Sequence, residues 1–176
     1  MKDNLRQLTI KAHRNAERQK FTKILLSGKI DPNLYHSYLL NQYYIYKTLE
    51  EKIDIPEINE IKRYELIHED IKELEKEYNI NPNKQLCNVT NDYINYIKNI
   101  DDNDRLLAHA YVRHFGDMSG GQIIKKQIPG NGKMYDFDDP ETKKSELRKF
   151  LHDGMAEEAN ICFDYATKLF EELMNE

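Results

Sequence analysis

Residues 110–126 read AYVRHFGDMSGGQIIKK, and this run constrains the chain more than any other stretch. It has the apolar spacing of a helix, yet Gly116, Gly120 and Gly121 interrupt it, and a glycine costs a helix interior roughly 1 kcal/mol against alanine. Something must offset that cost. Bare backbone bends easily and lets a second surface come close. At about 100° per residue, Arg113, Gly116, Asp117 and Gly120 share an arc of about 100°. A helix face with two missing side chains, one carboxylate and one guanidinium suits a flat ligand laid against it. Close helix packing with two solvated charges suits the same pattern, and spacing leaves both readings open.

The rest of the chain predicts a helical setting. Residues 4–26 form a first helix, with Leu5, Leu8, Ala12 and Ala16 as its apolar stripe and Gly28 as its stop. His13 lies off that stripe, on a face with Arg6, Ile10 and Glu17. A histidine one turn from a glutamate is the arrangement of a metal ligand with an orienting carboxylate, and equally that of an ordinary surface histidine. Asp31-Pro32 opens a second helix that runs to about residue 53. Its tyrosines, Tyr35, Tyr38, Tyr43, Tyr44 and Tyr46, serve a core or anchor water in a cavity. A third helix spans 58–78 with Ile61, Ile67, Ile71 and Leu74 inward. Thr90 caps a short helix to residue 100, and residues 101–104 turn into the glycine-bearing helix.

Glu65 and His68 have the Glu-x-x-His spacing of di-iron bundles, but no other histidine has a glutamate three residues before it, as such a site requires. Asp139-Pro140 starts a last helical region, bent near 153–154. No segment alternates as a strand, so the expected fold is all-α, a single-domain helical bundle over residues 1–176.

Charge and cysteine usage narrow the function classes. A formal net charge of −5 runs against a nucleic-acid binder. The two cysteines, Cys87 and Cys162, stand in no metal-ligand spacing. No apolar run approaches the roughly 20 residues of a membrane span, and MKDNLRQL has no signal-peptide apolar region. A soluble, cytoplasmic protein without a membrane partner is expected.

The segment AHAYVRHFGDMSGGQIIKK resembles the distal-helix signature of the heme oxygenase family. LTIKAHRNAE, with the GKI and YYIYKTLEE pieces after it, resembles the family's amino-terminal proximal region, and EEANICFDYATKLFEEL its closing helix. The resemblance covers nearly the whole chain. It implies heme held between the first helix and a glycine-kinked distal helix. His13 then matches the iron ligand and Glu17 the carboxylate one turn on. Arg6 and Tyr111 match positions near the propionates, and Phe163 an aromatic beside the heme. Gly116, Gly120 and Gly121 match the glycines that let the distal helix bend. Asp117 matches the carboxylate that organises distal water, and Arg113 its support.

There are departures. Val112 stands where a threonine is common and His114 where an aromatic is common. The region 149–157 is shorter than usual, which leaves Arg148 or Lys149 to grip the propionates; Lys149 is the expected one.

The resemblance further implies oxidative cleavage of heme by dioxygen to biliverdin, carbon monoxide and ferrous iron, heme being both cofactor and substrate. No flavin or iron–sulfur motif is present, so electrons must come from outside. Lys11, Arg14 and Arg18 share a helix face, suited to an acidic donor such as ferredoxin or flavodoxin. The alternative is a heme carrier or sensor with the same fold and no turnover.

Overall fold

The computed structural model describes residues 2–175, with side chains from Asn4 onward, and these residues form helices and no strand. The elements are α1 (Lys2–Glu17), α2 (Lys20–Leu25), α3 (Pro32–Lys52), α4 (Pro56–Asn59), α5 (Tyr64–Tyr78) and α6 (Asn88–Lys98). They continue with α7 (Asn103–Ser119), α8 (Gly121–Lys125), α9 (Pro140–Arg148) and α10 (Ala156–Met174), with single 3₁₀ turns at Lys133–Tyr135 and Asp153–Met155. No described helix is long and apolar enough to cross a membrane.

The expected first helix is two. Gln19 takes an extended conformation (φ −64°, ψ 147°), so α1 ends and α2 restarts without a glycine or proline between them. The Thr22 hydroxyl bridges the break by donating to the Ala16 carbonyl at 3.0 Å. The apolar stripe also differs from expectation: Leu5 and Ala16 are buried, but Leu8 is 52% exposed and Thr9 is buried in its stead. Thr9 tolerates this because its hydroxyl donates to the Leu5 carbonyl at 2.9 Å. Gly28 follows α2 at φ +78°, a left-handed position that glycine adopts without strain.

The Asp31 carboxylate caps α3, accepting from the Asn33 N–H at 2.7 Å, with Pro32 in the first turn. The expected third helix is also split, into α4 and α5. Glu50, fully buried on α3, accepts the N–H groups of Arg63 (2.7 Å) and Tyr64 (3.1 Å) and so caps α5 from outside its own sequence. Ile61, Ile67, Ile71 and Leu74 are buried as expected, each adding about 1.5–3 kcal/mol of burial. Thr90 is not a cap but an interior residue of α6. The N–H groups of Asn88 and Val89 are met instead by the Glu172 carboxylate of α10, at 2.6 and 3.0 Å.

The helix α10 organises the bundle. It packs against α1, α2, α6 and α7. Its Phe170 stacks on Phe21 of α2 with ring centroids 5.3 Å apart, and Tyr165 stacks on Tyr93 of α6 at 4.5 Å.

Candidate active site

Because α1 and α7 both lie on α10, they stand as two walls, and a cavity of about 820 Å³ opens between them. That volume lies in the usual range for a small-molecule or cofactor site. Residues of α3 close its inner end: Tyr38, Gln42 and Tyr46.

The α7 wall is the glycine face. Asp102 starts this helix by accepting from the Asp104 N–H at 2.9 Å. Arg113, Gly116, Asp117 and Gly120 then all line the cavity, as their shared arc predicted. A Cβ on Gly116 would meet nothing within 4 Å, and one on Gly120 would meet only the Gly116 carbonyl oxygen at 3.7 Å. These two positions therefore leave open space where side chains would project. Gly121 is placed differently. It is buried outside the cavity, and a Cβ there would fall 2.5 Å from Cδ1 of Tyr135. Its bareness lets α8 pack; it does not make room in the cavity.

Asp117 accepts a hydrogen bond from the Tyr46 hydroxyl at 2.5 Å. Burial pushes its pKa up to about 6, against the opposing pull of that hydrogen bond and of the His114, Arg113 and Arg63 charges. Arg113 makes no direct hydrogen bond to Asp117 among the described residues. Its guanidinium donates to Tyr93 Oη at 3.3 Å and to Gln42 Oε1 at 3.2 Å, while Gln42 donates to Tyr38 Oη at 2.7 Å. Arg113 thus acts on Asp117 through charge, and Tyr46 is the direct partner.

Behind Arg113 the chain of bonds runs on. Tyr93 Oη lies 2.6 Å from His109 Nδ1, and His109 Nε2 lies 2.8 Å from Glu158 Oε2. Burial opposes a charge on His109, but hydrogen bonds with Cys162 and Glu158 raise its pKa overall. His109 thus links Tyr93 to the Glu158 carboxylate, and Arg113 is held in a fixed frame.

On the α1 wall, Arg6, His13 and Glu17 line the cavity together. The His13 ring stacks on Phe163 of α10, with centroids 5.1 Å apart and planes 14° from parallel, and its Nε2 lies 2.5 Å from Glu17 Oε1. At one end Tyr111 sits beside Thr9, Arg6 and Arg148. Arg148 lines the cavity with its guanidinium 5.7 Å from the centroid of Phe115. Lys149 does not join them. It faces a separate crevice with Pro56, Glu57, Glu60 and Glu146, because consecutive residues at a helix end point about 100° apart.

Tyr46, Gln42 and Arg148 are the site residues that sequence reasoning missed or left open. The crowding of tyrosines on α3 was the one available signal for the first.

These features define an all-α protein with a cavity of cofactor size between a histidine wall and a bare glycine wall. The heme oxygenase family model matches residues 1–172. A heme oxygenase of Porphyra purpurea is 33% identical over 201 aligned positions that take in 97% of this chain and 85% of that protein. One of Guillardia theta is 34% identical, with 96% and 84% covered. Among solved structures, heme oxygenase-1 of the cyanobacterium Synechocystis, in complex with heme, superposes with a TM-score of 0.84 at 26% identity, over 99% of this chain and 92% of that one. Heme oxygenase from Leptospira interrogans gives 0.82 at 28% identity, over 97% and 98%. The chain belongs to the heme oxygenase family and is an enzyme of heme degradation.

Proposed function

We propose that the chain binds heme between α1 and α7 and opens it to biliverdin, carbon monoxide and ferrous iron, with dioxygen and with electrons from an outside donor. The observation that carries this reading is the α7 wall. Gly116 and Gly120 leave open space, and beside them stands a carboxylate, Asp117, held by Tyr46.

The residues present fit heme. The cavity is lined by one imidazole, His13, and by no cysteine or methionine among the described residues, so His13 is the iron ligand in this reading. Ligation through Nε2 would displace Glu17 from that nitrogen. Arg6, Arg148 and Tyr111 offer two guanidinium groups and a phenol to the propionates. Heme bound here would supply the iron at which dioxygen is activated and the ring that is opened.

The chain's own part is positional. Asp117 has acceptor oxygens free for water beyond its bond to Tyr46, and such water is a proton donor on the α7 side that no side chain replaces as a ligand. Tyr38, Gln42 and Arg113 fix the polar floor beneath it. A carrier or sensor needs no such frame around a carboxylate. A cytoplasmic location suits a chain whose two cysteines, Cys87 and Cys162, form no disulfide.

The test is to mix the purified protein with hemin and follow its spectrum before and after adding a ferredoxin reducing system with catalase. Loss of the Soret band with growth of a biliverdin band is expected. A complex that takes up electrons and oxygen yet keeps its ring would replace this reading with the carrier. His13→Ala should lower heme affinity by more than the roughly 10–100-fold that loss of a supporting partner costs, and should abolish the imidazole-ligated spectrum. An unaltered spectrum would assign the iron to another ligand.

Lys11 and Arg14 are exposed on α1, the helix that carries His13, and Arg18 is exposed in the turn just after it. An acidic ferredoxin or flavodoxin is proposed to dock there. Reversing the three charges should slow donor-supported turnover and flatten its dependence on ionic strength, while turnover driven by a small chemical reductant stays unchanged. A salt profile identical to the parent's would remove this docking face.

A further inference from the structure

Asp117 is held by Tyr46, and Tyr46 is held in turn. Its ring lies against the ring of His114, with centroids 5.3 Å apart and planes 50° from parallel. His114 is fully buried and is not among the cavity-lining residues. Its Nε2 lies 2.7 Å from Glu50 Oε2, and Glu50 is also fully buried. Glu50 is the carboxylate that accepts the Arg63 and Tyr64 N–H groups at the start of α5. Three donors thus converge on one buried carboxylate, and they come from α7 and from the start of α5 while the carboxylate itself belongs to α3. Such a pair is costly to break, since removing one partner strands a buried polar group.

We propose that His114 is a positioning residue for Asp117: clamped by Glu50, it fixes the Tyr46 ring whose hydroxyl holds the Asp117 carboxylate. This rests on the reading of Asp117 given above. The physical path is short. Asp117 is three residues beyond His114 on α7, and Tyr46 is four residues before Glu50 on α3, so each helix supplies one member to the clamp and one to the carboxylate. The two helices are therefore pinned at two successive levels, and a shift at the first displaces the second. Other groups set the same local field. Tyr38 faces Asp117 from α3, Arg63 from the turn before α5, Arg113 from α7 and Tyr135 from the 3₁₀ turn. Arg63 is already committed to the Met134 and Asp136 carbonyls, at 3.3 and 2.6 Å. None of these bonds to Glu50 through its side chain, so His114 alone supplies the side-chain half of the clamp among the described residues.

The test compares His114→Phe, which keeps a ring but loses the bond to Glu50, with His114→Tyr, which keeps a ring and restores a donor. Thermal melts establish that each variant folds. In the heme-free protein, ¹³C NMR of the Asp117 side-chain carboxyl should show its titration moving upward by about one pH unit in His114→Phe and partly back in His114→Tyr. With hemin and the reducing system, biliverdin formation should fall roughly 10- to 100-fold in His114→Phe, with hemin affinity within about twofold of the parent. If His114→Phe does not fold, Glu50→Gln, which weakens the same clamp from α3, gives the same comparison. An Asp117 titration and a biliverdin rate both equal to the parent's in a folded variant would reduce His114 to packing and overturn the proposal. If Asp117→Ala also forms biliverdin at the parent rate, the fault lies instead in the role assigned to Asp117.

Discussion

Asp117→Ala is expected to bind hemin as the parent does and to lose biliverdin formation by about 10²- to 10⁴-fold, the usual weight of a positioned proton-transfer group. The binding half follows from position. His13, Arg6 and Arg148 lie on other elements and are untouched, while among the described residues Asp117 meets only Tyr46 by hydrogen bond. Product analysis by absorption or chromatography checks the chemical half; biliverdin at the parent rate would end the role proposed for this carboxylate. The same group sets a pH dependence. Its pKa, raised to about 6 by burial, leaves it ionised and accepting at neutral pH and protonated below. Turnover should therefore fall on the acid side near pH 6.

Stability should respond in the opposite sense. A carboxyl whose folded pKa lies above its unfolded value favours the folded state when protonated, and that contribution is lost as pH rises from about 4 through about 6. Relative to the parent, Asp117→Ala should gain on the order of 2–3 kcal/mol between pH 4 and pH 7, offset by a pH-independent loss from the stranded Tyr46 hydroxyl. Denaturant melts at the two pH values measure the difference directly, and a pH-independent difference would place the carboxyl in a solvated setting.

The second large effect separates glycines that look alike in sequence. Gly116→Leu should fold at least as stably as the parent, because its Cβ meets open space and leucine favours a helix by nearly 1 kcal/mol over glycine. Its side chain would occupy the cavity, so hemin affinity should fall by about 5- to 150-fold, equivalent to 1–3 kcal/mol of overpacking. Gly121→Ala should do the reverse. Its Cβ would press on the Tyr135 ring, lowering stability by about 1–3 kcal/mol and the melting temperature by roughly 2–4 °C per kcal/mol, with hemin affinity near the parent's. Hemin titrations and thermal melts of both variants form a two-by-two comparison. If Gly116→Leu binds hemin normally, the α7 wall is not where the ligand lies.

These glycines also show what was legible in advance. The helical arc grouped Arg113, Gly116, Asp117 and Gly120 and left Gly121 outside it, and all four line the cavity while Gly121 does not. The resemblance counted Gly121 among the glycines that let the helix bend, and Gly121 stands where α7 gives way to α8. Helix existence was legible because capping signals such as Asp31-Pro32 and Asp139-Pro140 are local. The break at Gln19 was not, since no breaker residue marks it. The stripe failed at Leu8 because Thr9 found a partner in its own backbone and could go inward.

Contacts between distant segments had no signature at all. Tyr46 with Asp117, and Glu50 with His114, join residues 71 and 64 positions apart. A reader of the sequence sees a carboxylate and a tyrosine-rich helix but not which hydroxyl meets which oxygen. Arg148 and Lys149 are adjacent, and only the end of α9 decides which of them reaches the cavity.

The place of α10 bears on how the molecule is made. Its 19 residues support α1, α2, α6 and α7, and it is the last described helix to leave the ribosome. The histidine wall is synthesised before α10 and lacks its support until then. A nascent chain therefore carries His13 without a complete slot around it until α10 has been made, and ligand capture must follow the synthesis of that helix.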